Sequence, residues 1–316
     1  MPALESNVIQ VLADYTAGDP SDAEVLWTFL TPAEISEELA MAGTPVATDT
    51  VRTILDDFGF VQRKAQKYLA MGASPDRDAQ FNRIATHKAE YEASGNPILS
   101  MDAKKKEYLG NYFRPGRLYT TGVLRTLDHD FHSPDDPVVV QHGLFDIQRN
   151  LGHITLGSSH ETSEFACHCL IRYWRQYGQL AYPEATSILL LCDGGGSNSS
   201  RHYIFKEDLQ RAVNRIGIPI RVAHYPPYCS KYNPIEHNFF PHVTRACQGV
   251  IFHTLDIVKA FIRRTWTSAG LRATVNVIDK VYELKRKASD AFMQTMPIVF
   301  DKKLPQWNYT VVLTIY

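Results

Sequence analysis

The stretch from Ile188 to Phe240 constrains the fold more tightly than any other part of this 316-residue chain. An apolar run there ends at Asp193 and opens into three glycines, an amphipathic stretch follows, and a second apolar run ends near His224. A strand, a helix and a second strand in this order predict parallel strands whose carboxyl ends meet at one edge of a sheet. A helix that begins at Pro234 carries Glu236 in its first turn. We therefore expect Asp193 and Glu236 at the same sheet edge.

A third carboxyl group, that of Asp102, lies near the end of an earlier apolar run and precedes three lysines. An unpaired carboxylate among apolar residues is costly, so Asp102 must lie at a solvent-exposed strand end, pair with a cation or bind a metal. Magnesium prefers a few carboxylates together with water and phosphate oxygens. Two such ions about 4 Å apart would activate an attacking oxygen and stabilise a leaving one. Asp102, Asp193 and Glu236 together suit a divalent-metal site that cuts and joins phosphodiesters.

Each of these acids also has a purely structural interpretation. Asp193 followed by glycine is typical of a turn, and Glu236 completes a capping box that begins at Asn233. Asp102 could pair with one of the lysines that follow it. The glycine segment lacks the Gly-Lys-Ser/Thr ending of a nucleotide-binding loop, so no nucleotide cofactor is expected. The residues alone leave the structural alternatives open.

The segments ahead of Ile188 complete the prediction of the fold. Three β runs and a helix precede it, over Ile98–Asp102, Val138–Asp146, His153–Gly157 and Ser163–Tyr177. With the strand–helix–strand–helix order that follows, they predict an α/β protein with a mixed sheet flanked by helices. This order matches the ribonuclease-H-like arrangement, in which the first and fourth strands lie side by side. Asp102 and Asp193 would then be neighbours.

The charge distribution separates the beginning of the chain from the rest. Up to Phe60 there are eleven acidic residues and one cation, Arg52, so this segment has a formal charge of -10 and the remainder one of +9. A basic body is typical of a protein that meets phosphates. Within the acidic segment, a capping box at Thr31–Glu34 and two short helices around Gly43 predict a helix-turn-helix-like unit. Its charge favours the alternative of a plain helical hairpin, because a recognition helix must approach phosphates.

These patterns predict four regions and a cytoplasmic location. The regions are an acidic helix-turn-helix-like region at 1–62, a helical connector at 63–96, a ribonuclease-H-like catalytic domain at 97–250 and a helical extension packed on the core at 251–316. Five cysteines without zinc-site spacing indicate free thiols in a reducing compartment. No signal peptide is recognisable and no apolar run is long enough to span a bilayer, so no membrane partner is expected.

Three segments give the sequence a family resemblance. They are SMDAKKKEYLGNY at 100–112, CDGGGSNSSR at 192–201 and HYPPYCSKYNPIEHNFF at 224–240. In this order and at this spacing, the chain resembles DDE transposases of the ISAzo-thirteen insertion-sequence family, which is related to the wider Tc/mariner-like group. The resemblance is nearly continuous from about Trp27 to Thr310. It implies a metal-binding catalytic triad of Asp102, Asp193 and Glu236 in a ribonuclease-H-like core.

The resemblance also implies a reaction and its partners. The expected reaction is cleavage and strand transfer of an insertion sequence, with two Mg²⁺ or Mn²⁺ ions as cofactors. The expected partners are double-stranded DNA, both transposon ends and target, and a second copy of the chain in a homodimer on DNA, which places the protein on the nucleoid. Four cations near the acids are candidate phosphate contacts, namely Lys104, Lys106, Arg201 and Lys231. A lysine run can equally be a solvated face.

A second function remains possible on the sequence. Family members usually have a further DNA-binding region at the N-terminus, and the helix-turn-helix-like unit here is acidic. The alternative is therefore a catalytically silent, shortened transposase that regulates by binding DNA or by pairing with an active transposase.

Overall fold

The computed structural model describes residues 2–19, 22–63, 75–129, 131–133, 135–195 and 199–314. The chain divides into two compact units, Met1–Leu69 and Ala70–Tyr316. No helix in these described ranges is both long enough and apolar enough to cross a membrane.

The first unit combines three helices with a hairpin. Its elements are α1 (Pro2–Asp14), β1 (Thr16–Asp19), β2 (Asp22–Thr28), α2 (Pro32–Met41) and α3 (Thr48–Asp57). The capping box at Thr31 forms as predicted, with Glu34 bonding the Thr31 backbone N–H in return. Val8, Leu39 and Val51 meet in its small apolar core. The hairpin was not predicted, because its pairing, Thr16 to Thr28 and Ala17 to Trp27, joins segments with weak strand patterns.

The second unit is built on one eight-stranded sheet. Its strands are β3 (Ile98–Tyr108), β4 (Val138–Asp146), β5 (Leu151–Gly157), β6 (Ile188–Cys192), β7 (Ile220–His224), β8 (Arg272–Ile278), β9 (Ile298–Phe300) and β10 (Asn308–Val311). Its helices are α4 (Arg77–Ser94), α5 (Ser163–Tyr173), α6 (Gln179–Ala181), α7 (Tyr203–Ile216), α8 (Pro234–Asn238), α9 (Phe240–Ala246), α10 (Leu255–Ile262) and α11 (Asp290–Thr295). The strands lie in the order β8-β5-β4-β3-β6-β7-β10-β9.

The five central strands have the ribonuclease-H-like order. β3, β4 and β5 pair as an antiparallel meander, β6 lies parallel to β3, and β7 lies parallel to β6. The run ILLLC is suited to a central parallel strand because helices cover both faces, and all five residues of β6 are buried. The predicted fold class is confirmed, with the first and fourth strands of this core side by side.

Helices cover both faces of the sheet. On one face, α5 and α7 pack on β3 and β6 through residues such as Leu170, Leu209 and Leu190. On the other, Phe239 and Val258 pack α8–α10 against β4, β5 and β8. Two packed faces hold the central strands rigidly, so side chains at their ends have a fixed foundation.

The C-terminal segment 251–316 was predicted to be a helical extension packed on the core. In the structure, this segment completes the sheet. It contains α10 and α11, yet β8 joins one edge beside β5, and β10 pairs antiparallel with β7 at the other. Ala273, Val275 and Val277 alternate into the core, and Tyr309 and Val311 are fully buried. Alternate residues of β8 and β10 pack into the core, which stabilises the strand conformation. Their partner strands are far away in sequence, so the pairing was not predicted. The domain boundaries stay a prediction, and α4, expected in a connector, belongs to the second unit.

Candidate active site

The three acids predicted to form a site come from three elements that meet at one edge of the sheet. Asp102 lies within β3, one residue after Met101, which pairs with Cys192 of the parallel strand β6. Asp193 is the next residue after Cys192, so the sheet register places it beside Asp102. Glu236 lies in the first turn of α8. All three side chains belong to half-buried residues, so the site is open on one side.

Two buried polar residues join the helix of Glu236 to the strand of Asp102. Asn233 donates from Nδ2 to the backbone oxygen of Met101 at 3.2 Å, and it accepts a hydrogen bond from Ser100 Oγ. The Ile235 N–H donates to the same Ser100 Oγ at 3.0 Å. Asn233 and Ser100 are both completely buried. These bonds lie next to Asp102 and Glu236 in sequence and fix α8 against β3.

This finding changes the interpretation of Asn233 and adds Ser100 to the site. Asn233 was expected to cap the helix, but its side-chain groups bond β3 and its side chain makes no capping hydrogen bond to α8. Ser100 was not singled out from the sequence. Its only signal is a hydroxyl within the apolar run PILSM, because such a group requires a buried partner.

Burial and repulsion from neighbouring carboxylates raise the pKa values of the two aspartates. The pKa of Asp102 rises to about 9, chiefly through burial, then through the Asp193 carboxylate and a side-chain hydrogen bond with Glu236. The Ala103 N–H, 2.7 Å from Asp102 Oδ1, opposes this rise. Burial likewise raises the pKa of Asp193 to about 6, against a backbone hydrogen bond from Gly195, and Glu236 adds to the rise. Carboxyl groups gathered in this way favour a proton or a cation among them.

The donor chemistry of the site fits a divalent cation. Mg²⁺ and Mn²⁺ prefer carboxylate oxygens, and a bound cation would relieve the repulsion that raises both pKa values. Within the described ranges, however, no three His, Cys, Asp or Glu side chains converge as a ready set of ligands. Glu236 interacts with Asp102 and raises the pKa of its carboxyl group, so the two side chains must rearrange to share a cation.

The glycine segment packs tightly against the neighbouring strand connection. A side chain at position 194 would place its Cβ 3.2 Å from the backbone oxygen of Tyr225. Gly194 therefore permits a close backbone approach beside Asp193. Ser199 and Ser200 at the far end are buried. The third glycine, Gly196, falls outside the described residues.

The cations predicted to contact phosphate differ in their surroundings. The Lys104 ammonium lies 3.5 Å from Glu107 and its side chain is only 13% exposed. Lys106 is exposed, with Nζ 5.4 Å from the ring centre of Tyr108. Arg201 and Lys231 are also exposed.

Lys105 is a further cation at the site that sequence reasoning missed. Lys104 and Lys106 were predicted as phosphate contacts, and Lys105 between them was not. The β3–β4 register shifts between Lys104 and Glu107, which disturbs the alternation of side chains there. Lys105 is exposed, and with Lys106 it lines a cavity of about 490 Å³ that begins at Ala103, next to Asp102. Three lysines, Lys104 to Lys106, outnumber the acids Asp136 and Glu161 in the lining of this cavity, so it could accept a phosphate backbone.

Comparison with known proteins agrees with the resemblance seen in the sequence. A family described as the Rhodopirellula transposase DDE domain matches residues 7–312. No functionally curated protein shows significant similarity to the chain. Similar solved structures include a Mos1 transposase paired-end complex with the left transposon end, at 14% identity and a TM-score of 0.45 over 82% of this chain and 69% of that one.

Two further structures in this group are Mos1 paired-end complexes with metal ions. The complex with Mg matches at 14% identity and a TM-score of 0.45, over 81% of this chain and 68% of that one. The complex with Mn matches at 13% identity and a TM-score of 0.43, over 81% and 69%. The family match is the decisive finding because it spans nearly the whole sequence. The chain belongs to the DDE transposase family, and it is an enzyme that cuts DNA and transfers its strands.

Proposed function

We propose that Asp102, Asp193 and Glu236 are the catalytic residues of this transposase and that they bind two Mg²⁺ or Mn²⁺ ions. DDE transposases use divalent metal ions. The observation that supports this assignment is the meeting of three carboxyl groups from β3, the end of β6 and α8, with the pKa values of Asp102 and Asp193 raised by burial and by neighbouring carboxylates. When bound, the ions supply activation of the attacking oxygen and stabilisation of the leaving oxygen.

The protein's own residues supply orientation and a path for DNA. Asn233 and Ser100 hold Glu236 against the strand of Asp102. Lys106, Arg201 and Lys231 are exposed on the segments that bear the acids, and they are proposed phosphate contacts. Lys104 stays a candidate phosphate contact, although its ion pair with Glu107 must break, or must be shared with a phosphate, before the ammonium group can contact DNA. Such contacts position the duplex without reading its sequence.

The proposed partners follow from this chemistry. The substrates are the transposon ends and a target duplex, and the protein acts as a homodimer so that two ends are held together. Its working location is the nucleoid in the cytoplasm, where its substrate is. The alternative of a catalytically silent regulator is not favoured, because the family match covers the segments that contain Asp102, Asp193 and Glu236.

Strand transfer with pre-cleaved ends tests the assignment. The ends are taken from the DNA that flanks the gene, and Mn²⁺ is supplied. Asp193→Asn keeps the shape of the side chain and removes its charge, so strand transfer should fall by at least about 100-fold with DNA affinity retained. Asp256→Asn, at an exposed acid on α10, is the matched control and should behave as wild type. If Asp193→Asn and wild type transfer strands equally well, the proposed active site is refuted. If both proteins bind DNA and neither transfers strands, the result supports the alternative of a catalytically silent regulator.

A further inference from the structure

A completely buried histidine contacts the backbone of Asp193. His224 is the last residue of β7, and its Nδ1 lies 3.0 Å from the backbone oxygen of Asp193. Its Nε2 lies 3.0 Å from the hydroxyl of Tyr309 in β10. Both ring nitrogens are therefore engaged, one by the proposed active site and the other by the C-terminal strand.

The chemistry of the two partners fixes one tautomer of the ring. A backbone carbonyl oxygen can only accept a hydrogen bond, so Nδ1 holds the proton and donates to Asp193. Nε2 then accepts from the hydroxyl of Tyr309. Burial lowers the pKa of His224 to about 4, so the ring stays neutral. The direction of each hydrogen bond is thereby determined.

The surrounding contacts hold this pair in place. Gln80 of α4 donates to the backbone oxygen of His224 at 2.9 Å and to Asn308 Oδ1 at 3.0 Å. The Lys206 ammonium lies 5.2 Å from the ring centre of Tyr309 and donates to the backbone oxygen of Ser200. The helices α4 and α7 thus support the histidine and its tyrosine from both sides of the sheet.

Asp193 needs such support because the sheet ends just before it. The last ladder bond at this point runs from the Tyr225 N–H to the backbone oxygen of Cys192, at 2.8 Å. Beyond it comes Gly194, which restricts the backbone less than any other residue type. A hydrogen bond to the Asp193 oxygen fixes the peptide plane that follows, and so restrains the Cα–Cβ bond from which the carboxylate extends. A displacement of about 1 Å in a catalytic group can cost about 100-fold in rate.

We propose that His224, held in one tautomer by Tyr309, is a positioning residue that aims the Asp193 carboxylate at the metal site. The proposal rests on the assignment of Asp193 as a catalytic residue. His224 is completely buried, so it acts through the Asp193 backbone and not by contact with DNA. Its effect should therefore appear in metal affinity and in the rate of the chemical step, and not in the affinity for DNA.

Two substitutions at His224 separate positioning from filling of space. His224→Leu occupies the site but makes neither hydrogen bond, whereas in His224→Asn the amide nitrogen can replace Nδ1 and donate to Asp193. For His224→Leu we expect single-turnover strand transfer to slow by about 30–100-fold. The Mg²⁺ concentration for half-maximal binding, measured calorimetrically with the metal alone, should rise by about 10-fold. DNA affinity should stay within about 2-fold, and His224→Asn should recover most of the loss.

His153→Leu is the matched control. It removes another buried histidine from the same sheet, one that bonds Thr274 at 2.7 Å and makes no bond to the acids. It should leave Mg²⁺ binding unchanged. If His224→Leu does not fold, Tyr309→Phe, which removes a single hydroxyl, replaces it and should weaken Mg²⁺ binding by about 3-fold.

Three outcomes would overturn the proposal. The first is wild-type Mg²⁺ binding in a folded His224→Leu, or in Tyr309→Phe where that variant is used. The second is a loss of Mg²⁺ binding in His224→Asn as large as that in His224→Leu. The third is an equal loss in the control, His153→Leu. Asp193→Asn distinguishes this failure from that of the proposed function. If Asp193→Asn is inactive while His224→Leu behaves as wild type, only the positioning role is lost. If Asp193→Asn is active, the site assignment itself is lost.

Discussion

At the scale of single residues, Asp102 destabilises the metal-free protein at neutral pH. Its pKa is about 9 in the folded state, against about 3.9 in an unfolded chain. Between these values the folded state binds more protons than the unfolded state, so the free energy of unfolding falls as pH rises. The loss is complete above the folded pKa and absent below about pH 4. A site that is unfavourable without its cation binds that cation strongly, because binding removes the repulsion.

Asp102→Asn should therefore stabilise the metal-free protein. The amide can donate to Glu236 as the protonated acid does, and it has no charge to bury. With a chelator at pH 8, the free energy of unfolding should increase by about 1–3 kcal/mol, and the gain should shrink towards pH 4. Urea unfolding followed by tryptophan fluorescence measures this, since Trp174, Trp266 and Trp307 lie in the second unit. Adding Mg²⁺ should stabilise wild type and not the variant. A wild type as stable as the variant at pH 8 would contradict the argument.

At the scale of elements, the junction between β3 and α8 determines where Glu236 lies. α8 has only five residues, so its own hydrogen bonds cannot hold it in place. Asn233 and Ser100 supply the missing constraint through three bonds to one another, to Met101 and to Ile235. Removing either partner leaves a buried polar group unsatisfied, which is more costly than losing both together.

This argument predicts strong coupling between Ser100→Ala and Asn233→Ala. Each single variant should lower the free energy of unfolding by about 1–3 kcal/mol, because it leaves a buried partner without a hydrogen bond. The double variant should lose less than the sum, with a coupling energy of about 1 kcal/mol or more. Urea unfolding of the four proteins completes the cycle. Additive losses would show that the two residues do not act as a unit.

The same elements show how far sequence patterns predict this fold and site. β6 and α7 form where the spacing of their apolar residues predicts them. The position of Asp193 at the end of β6 and the packing of α7 on the sheet follow from these two elements. β8 and β10 were missed because their partners, β5 and β7, are more than 80 residues away, and local patterns do not encode such pairing. Lys105 was missed because the irregularity in β3 between Lys104 and Glu107 leaves no mark in the local sequence pattern. His224 was taken for a strand end, because its partner Tyr309 is reached only through that long-range pairing.

At the scale of the whole molecule, the two units differ sharply in charge. The first unit, Met1–Leu69, has a formal charge of -7, because three cations follow Phe60, and the second unit has one of +6. The first unit has its own apolar core, centred on Leu39 and Val51, so it is a folded body of negative charge. Negative charge opposes the approach of a DNA backbone, whereas the basic second unit attracts it. We therefore expect the first unit to serve contacts with protein, within the chain or between copies, and not to grip DNA.

Deleting residues 1–60 should consequently leave nonspecific DNA affinity unchanged or raise it. The deletion removes ten net negative charges and keeps the sheet, the acids and the exposed cations of the second unit. Filter binding or fluorescence anisotropy with a random duplex, repeated over a series of salt concentrations, measures both the affinity and the number of phosphates neutralised. The slope against salt should be preserved, because the same cations make the contacts. A loss of affinity of about 10-fold or more, with a shallower slope, would show that the first unit binds DNA despite its charge.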